Sequence, residues 1–159
     1  MKEQVVLVSR IPWAKATAVL EAFEEARRDR SKTPLEGLFR SSALDGVEII
    51  RKKKFGWFGE ARTVIPRAST FVVAAIEQAT REAIDLDSAP LASFDASSPF
   101  RADHGLPEWM HGDDGPSLVG PDEIASVRAL ADRWPAEDAR KLVGLLDRVE
   151  PGDGLMIEL

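Results

Sequence analysis

Apolar and polar positions change period several times along the chain, and each change predicts an element. The first run, "QVVLVS" at 4–9, is short and β-branched, which suits a buried strand better than a helix. From Pro12 the period becomes helical. Trp13, Ala16, Leu20, Phe23 and Ala26 recur on one side, with Glu21, Glu24 and Arg28 between them, and a proline suits the first turn of the helix they predict. "TPLEGLFRSSAL" predicts a short helix over 34–43, with Thr33 as its cap and Glu36 at capping-box spacing. "GVEIIR" and "ARTVIP" are β-prone neighbours and are expected to pair as a hairpin around residues 51–60. Beyond Pro66, the residues Val72, Ala75, Ile76, Ala79, Ala83 and Leu86 mark one side of a long helix that starts near a Ser69 cap.

Periodicity then stops. Residues 87–120 hold four prolines, four glycines and five aspartates with no sustained repeat, which predicts a long irregular loop of the kind that carries function. After it, Ile124, Val127, Leu130, Ala131 and Trp134 share a helical face, Pro135 interrupts, and Ala139, Leu142, Val143, Leu146 and Val149 repeat the pattern. "PGDG" turns the chain into "LMIEL", a final strand. The whole reads as one α+β domain over 1–159, with a small antiparallel or mixed sheet and helices packed on one face. Treating the loop and helix pair as an insertion before the last strand leaves the βαββαβ order of a ferredoxin-like sheet.

Composition narrows the chemistry. A chain of 159 residues with 44% hydrophobic and 30% charged residues has globular proportions and buries roughly 70% of its unfolded surface without staples. With no cysteine, there is no disulfide framework, thiolate metal site or thiol nucleophile. The opening apolar run is too short for a signal-peptide core and no stretch approaches a membrane span, so a cytoplasmic protein is expected. An excess of 14 arginines over 7 lysines points to a bacterial, GC-rich genome. The net charge of −6 is unevenly spread: residues 1–70 carry +5 and the remainder −11, a prior for a charged partner or for head-to-tail self-contact.

Two stretches carry candidate chemistry. "RKKKFGWFGE" at 51–60 sets Arg51, Lys52, Lys53 and Lys54 against Phe55, Trp57 and Phe58, with Gly56 and Gly59 to permit a turn. Cations for phosphates and aromatics for unpaired bases would suit RNA or single-stranded nucleic acid. The stretch partly resembles the RNP1 consensus of RNA-recognition motifs through Lys53, Phe55, Gly56 and Trp57. It departs from it at Lys54, Phe58 and Glu60, and the first strand lacks the partner motif's aromatic. "ADHGLPEWMHGDDG" gathers His104, His111 and Asp113, which could serve a metal-dependent hydrolase, although the spacing follows no known ligand pattern. In the same loop Trp109 and Met110 are expected to anchor in the core.

No nucleotide fingerprint, phosphate-binding loop or nucleophile elbow is present, so no catalytic residue and no cofactor is assigned. The leading expectation is a protein-interaction domain without catalytic activity, such as an immunity or inhibitory subunit. Trp57 and Phe58, or the acidic Asp113, Asp114 and Asp122, would meet its protein partner.

Overall fold

The computed structural model describes residues 5–52, 62–87, 98–101, 103–111 and 115–158. Mixed helices and strands make an α+β fold, as expected. Its centre is a four-stranded sheet in the order β4-β1-β6-β5, formed by β1 (Val5–Pro12), β4 (Glu82–Asp87), β5 (Ser117–Val119) and β6 (Asp153–Glu158). Every neighbouring pair is antiparallel: Val8 lies opposite Ile84 on one side and Ile157 on the other, and Met156 lies between Ser9 and Leu118. β2 (Ile50–Lys52) and β3 (Arg62–Val64) form the expected hairpin as a separate two-stranded sheet, with Arg51 opposite Thr63 and Lys52 opposite Arg62.

Helices cover both faces of the main sheet, not one. α1 (Trp13–Asp29), α2 (Thr33–Glu36), α3 (Ser41–Leu44) and α4 (Ala68–Glu77) share a core in which Val19, Phe23, Leu35, Val72 and Ile76 meet Ile11, Leu118 and Met156. A second core joins Val127 of α5 (Ile124–Ala131) and Leu142, Leu145 and Leu146 of α6 (Ala136–Asp147) to Val6, Val8, Leu155 and Ile157. Successive strand side chains point to opposite faces, so Leu155 and Ile157 enter one core and Met156 the other. An uninterrupted apolar run such as this one signals a strand buried on both sides. β6 is accordingly internal.

The ferredoxin-like expectation assigned its two middle strands to the hairpin. The main sheet does follow a β-α-β-β-α-β order, but 82–87 and 117–119 supply the middle strands, and the spatial order is second, first, fourth, third. The long helix predicted after Pro66 accordingly stops at Glu77, and 82–87 is a strand. Helical spacing through Ala79, Ala83 and Leu86 competes there with the alternation of Ile84 and Leu86, and pairing with β1 selects the strand. Ser69 does not cap α4; Arg67, with φ of 59°, precedes its first residue. The helix predicted over 34–43 is split around Gly37 to Arg40, where Phe39 packs edge-on against Phe23 and Phe71, each at 5.9 Å. Thr33 is the first residue of α2 and not its cap; Lys32 precedes it without a side-chain capping bond, and the Ser31 hydroxyl accepts from the Thr33 amide at 3.2 Å. Within the stretch expected to be irregular lie a 3-10 turn at Glu108–Met110 and the edge strand β5.

One end of the sheet is tied by charge. Asp153, 2% exposed, forms ion pairs at 3.6 Å with both Arg10 and Arg81 and accepts a hydrogen bond from the Glu150 amide at 3.0 Å. Arg148 forks onto Glu82, holding that carboxyl below its usual range, and Arg10 donates to the Arg148 carbonyl. Three arginines meet three carboxylates, so the cluster is compensated. No helix among the described residues is long and apolar enough to cross a membrane.

Candidate functional site

Among the described residues, positive charge in excess of its partners gathers where the C-terminal end of α1 meets β3 and the 108–110 turn. "EEARRDR" ends the helix with Arg27 and Arg28 in its last turn, where cations complement the carbonyl end of the dipole. Arg30 follows in the left-handed region, φ 52° and ψ 40°, and its amide closes the helix onto the Ala26 carbonyl. That conformation costs a non-glycine residue about 1–2 kcal/mol. It turns the chain so that Arg30 joins Arg27, Arg28, Arg62 and Trp109 around an open recess of about 520 Å³, with Glu24, Thr63 and Glu108 completing the lining.

The recess has a fixed centre. Trp109 donates its indole N–H to Glu24 Oε2 at 2.7 Å. Arg27 reaches the same carboxylate with Nη2 at 2.6 Å and Nε at 3.3 Å, and its guanidinium lies 5.1 Å from the Trp109 ring centroid. Such a cation over an indole contributes about 0.5–1 kcal/mol at an exposed site. The Arg27 hydrogen bond, opposed by burial and supported by the Arg27 charge and the Trp109 donor, holds the Glu24 carboxyl below its usual range. Arg28 pairs with Asp29 at 3.5 Å. Among the described residues Arg30 and Arg62 make no ion pair, and the hairpin register sets Lys52 opposite Arg62.

The sequence-derived candidates distribute as follows. Arg51 is exposed on β2. Lys53, Lys54, Phe55, Trp57, Phe58, Asp113 and Asp114 lie outside the described residues. Asp122 is exposed in the 3-10 turn Pro121–Glu123 that leads into α5. His104 and His111 address different partners: His104 Nε2 lies 2.9 Å from Glu123 Oε2, and His111 Nε2 lies 2.9 Å from the Leu106 carbonyl. No group of three His, Asp or Glu side chains converges among the described residues. Ser117, between glycine and proline-rich turns, is buried and donates to the Arg101 carbonyl.

The recess itself was not foreseen. Its residues come from three separated stretches; Met110 is buried in the core as expected, and Trp109, half-buried, packs against that core while also lining the recess. A second recess of about 460 Å³, lined by Lys32, Glu36, Phe39, Leu44 and Asp45, offers less chemistry, because Lys32 is spent on the Leu44 carbonyl at 3.1 Å. No family model, curated protein or solved structure matches the chain.

Proposed function

We propose that the protein is a bacterial, cytoplasmic binding module that holds a protein partner, with the recess between α1, β3 and the 108–110 turn as its working surface. What supports this is the assembly at Trp109: a half-buried indole fixed by Glu24, covered by Arg27 and flanked by the uncommitted Arg30 and Arg62. Tryptophan and arginine dominate the energetics of protein interfaces because each combines a large apolar area with directional donors. An inhibitory or immunity subunit is the kind of protein that works in this way, by occupying a partner without chemistry of its own.

A second reading is favoured by the hairpin. Its strand β3 places Arg62 on the recess lining, beside the Trp109 ring, and the paired strand β2 carries the exposed Arg51. Single-stranded nucleic acid binds such combinations, each stacked base contributing about 1–3 kcal/mol. A capture from nuclease-treated and untreated lysate separates the two, with the Arg30→Glu, Arg62→Glu double variant alongside. A stoichiometric protein that survives nuclease and is lost in the variant is the expected result. Nucleic acid in the untreated half alone would transfer the function to the second reading. Four phosphate contacts would then weaken binding about 50-fold between 50 and 200 mM salt.

A further inference from the structure

We infer that the segment recognised by the recess is an acidic peptide, anchored by two of its carboxylates on Arg30 and Arg62; this rests on the protein-partner reading above. The recess already displays the chemistry it selects. Glu24 occupies the fork of Arg27 through both carboxylate oxygens, and Arg28 is engaged by Asp29, so two of the four guanidiniums hold carboxylates of the chain itself. Arg30 and Arg62 are exposed, line the same recess from different elements and have no ion pair among the described residues. An incoming anion therefore meets two guanidiniums that hold no ion pair among the described residues, and bidentate geometry suits the planar carboxylate.

The lining also discriminates between anions. Glu24 is taken by Arg27 and Trp109, but Glu108 stands exposed among the arginines, so a ligand that supplies a donor as well as acceptors suits the recess best. A peptide carries an N–H donor at nearly every residue, which gives Glu108 a partner while neighbouring side chains reach Arg30 and Arg62. A phosphodiester backbone presents only acceptors and negative charge to Glu108. A short acidic segment confines its charge to the recess. The half-buried Trp109, over which Arg27 lies, adds apolar area to the lining for an apolar residue of the same segment, the combination of anchor and charge typical of interface centres.

The test is selection of a displayed random decapeptide library on the full-length protein, followed by affinities of the enriched peptides as synthetic compounds. Enriched peptides are expected to carry two or more Asp or Glu residues. Their Kd should rise at least about tenfold with Arg30→Glu, Arg62→Glu and recover when the peptide carboxylates are replaced by lysines. Glu24→Gln keeps an acceptor for Trp109 while freeing the Arg27 charge, so it should tighten acidic peptides about threefold. Enrichment of neutral or basic peptides, no enrichment, or an affinity indifferent to the double variant overturns the inference, as does an oligo(U) decamer outcompeting the peptides at the recess. The broader reading fails differently. If a lysate partner depends on Arg30 and Arg62 but docks a segment without carboxylates, only the acidic-peptide inference falls; if no protein partner depends on them, the proposed function falls as well.

Discussion

Gly154 is the position where one added methyl group interrogates the packing of the whole sheet. It lies in β6 opposite Ile11, and a Cβ built there would stand 2.5 Å from Cε3 of Trp13 and 2.6 Å from the carbonyl oxygen of Val119. The two obstacles differ in kind. The indole is a side chain that a small rotation relieves, whereas the Val119 oxygen belongs to the β5 backbone and moves only if the β5–β6 ladder shifts. Overpacking of this sort costs about 1–3 kcal/mol, and a backbone obstacle puts Gly154→Ala near the upper end, about 3 kcal/mol. For a chain of this size that is a fall in Tm of roughly 6–12 °C. Urea unfolding followed by tryptophan fluorescence and circular dichroism measures it. In a Trp13→Leu background the same substitution should cost about half as much, a coupling of about 1–2 kcal/mol, because only the indole obstacle is gone. Gly37→Ala is the control: with φ −76°, ψ −15° and nothing within 4 Å of its Cβ, it should stabilise by about 0.4–1 kcal/mol. A Gly154→Ala protein within about 0.5 kcal/mol of wild type, or full rescue by Trp13→Leu, would refute the geometry of the sheet centre.

Other positions give independent checks. Phe23 is fully buried and packs edge-on against Phe39, so Phe23→Ala should cost about 3–5 kcal/mol in denaturant unfolding. Asp153→Asn removes the charge facing Arg10 and Arg81 while keeping an acceptor for the Glu150 amide, and should cost about 1–3 kcal/mol by the same assay. Burial raises the Glu158 carboxyl above its usual range, and Glu77 adds repulsion and a hydrogen bond that favours the protonated form. The folded state therefore holds that proton more tightly than the unfolded state. Stability attached to this group is full below the ordinary glutamate range and declines as pH rises through the elevated folded value. Glu158→Gln should flatten that slope in pH-dependent melting and raise stability at pH 7 by on the order of 0.5 kcal/mol, a figure reduced for solvent screening. Glu24 has the opposite sign: its depressed carboxyl contributes stability above the ordinary range and loses it as pH falls through the folded value, so Glu24→Gln should melt with less acid sensitivity.

The elements with a strong single period were legible from sequence. α1, α5 and α6 declare themselves through apolar residues three and four apart, and β1 and β6 through short β-branched or wholly apolar runs. β4 was hidden because "ATREAIDL" satisfies helical spacing as well as alternation, and only β1, far away in sequence, decides between them. β5 is three residues long and sits between glycines and prolines, so no window could resolve it. Coverage of both sheet faces was implicit in the apolar continuity of β6, where Leu155, Met156 and Ile157 have no polar alternate. The recess was illegible for a simpler reason: Arg27, Arg62 and Trp109 belong to three stretches, and no local rule brings a helix end, a hairpin strand and a loop turn together.

The central pairing of the sheet has a consequence for how the molecule comes into being. β1 ends at Pro12 and β6 begins at Asp153, yet they lie side by side in the middle of the sheet. A ribosome has therefore made nearly every residue between them before β1 can meet that neighbour, and during synthesis its inner edge has only provisional company. Contacts so distant in sequence slow folding and prolong the exposure of apolar strand edges. A nascent chain stalled before Asp153 should thus present Val6, Val8 and Ile11 to chaperones, and release of a few further residues should bury them together.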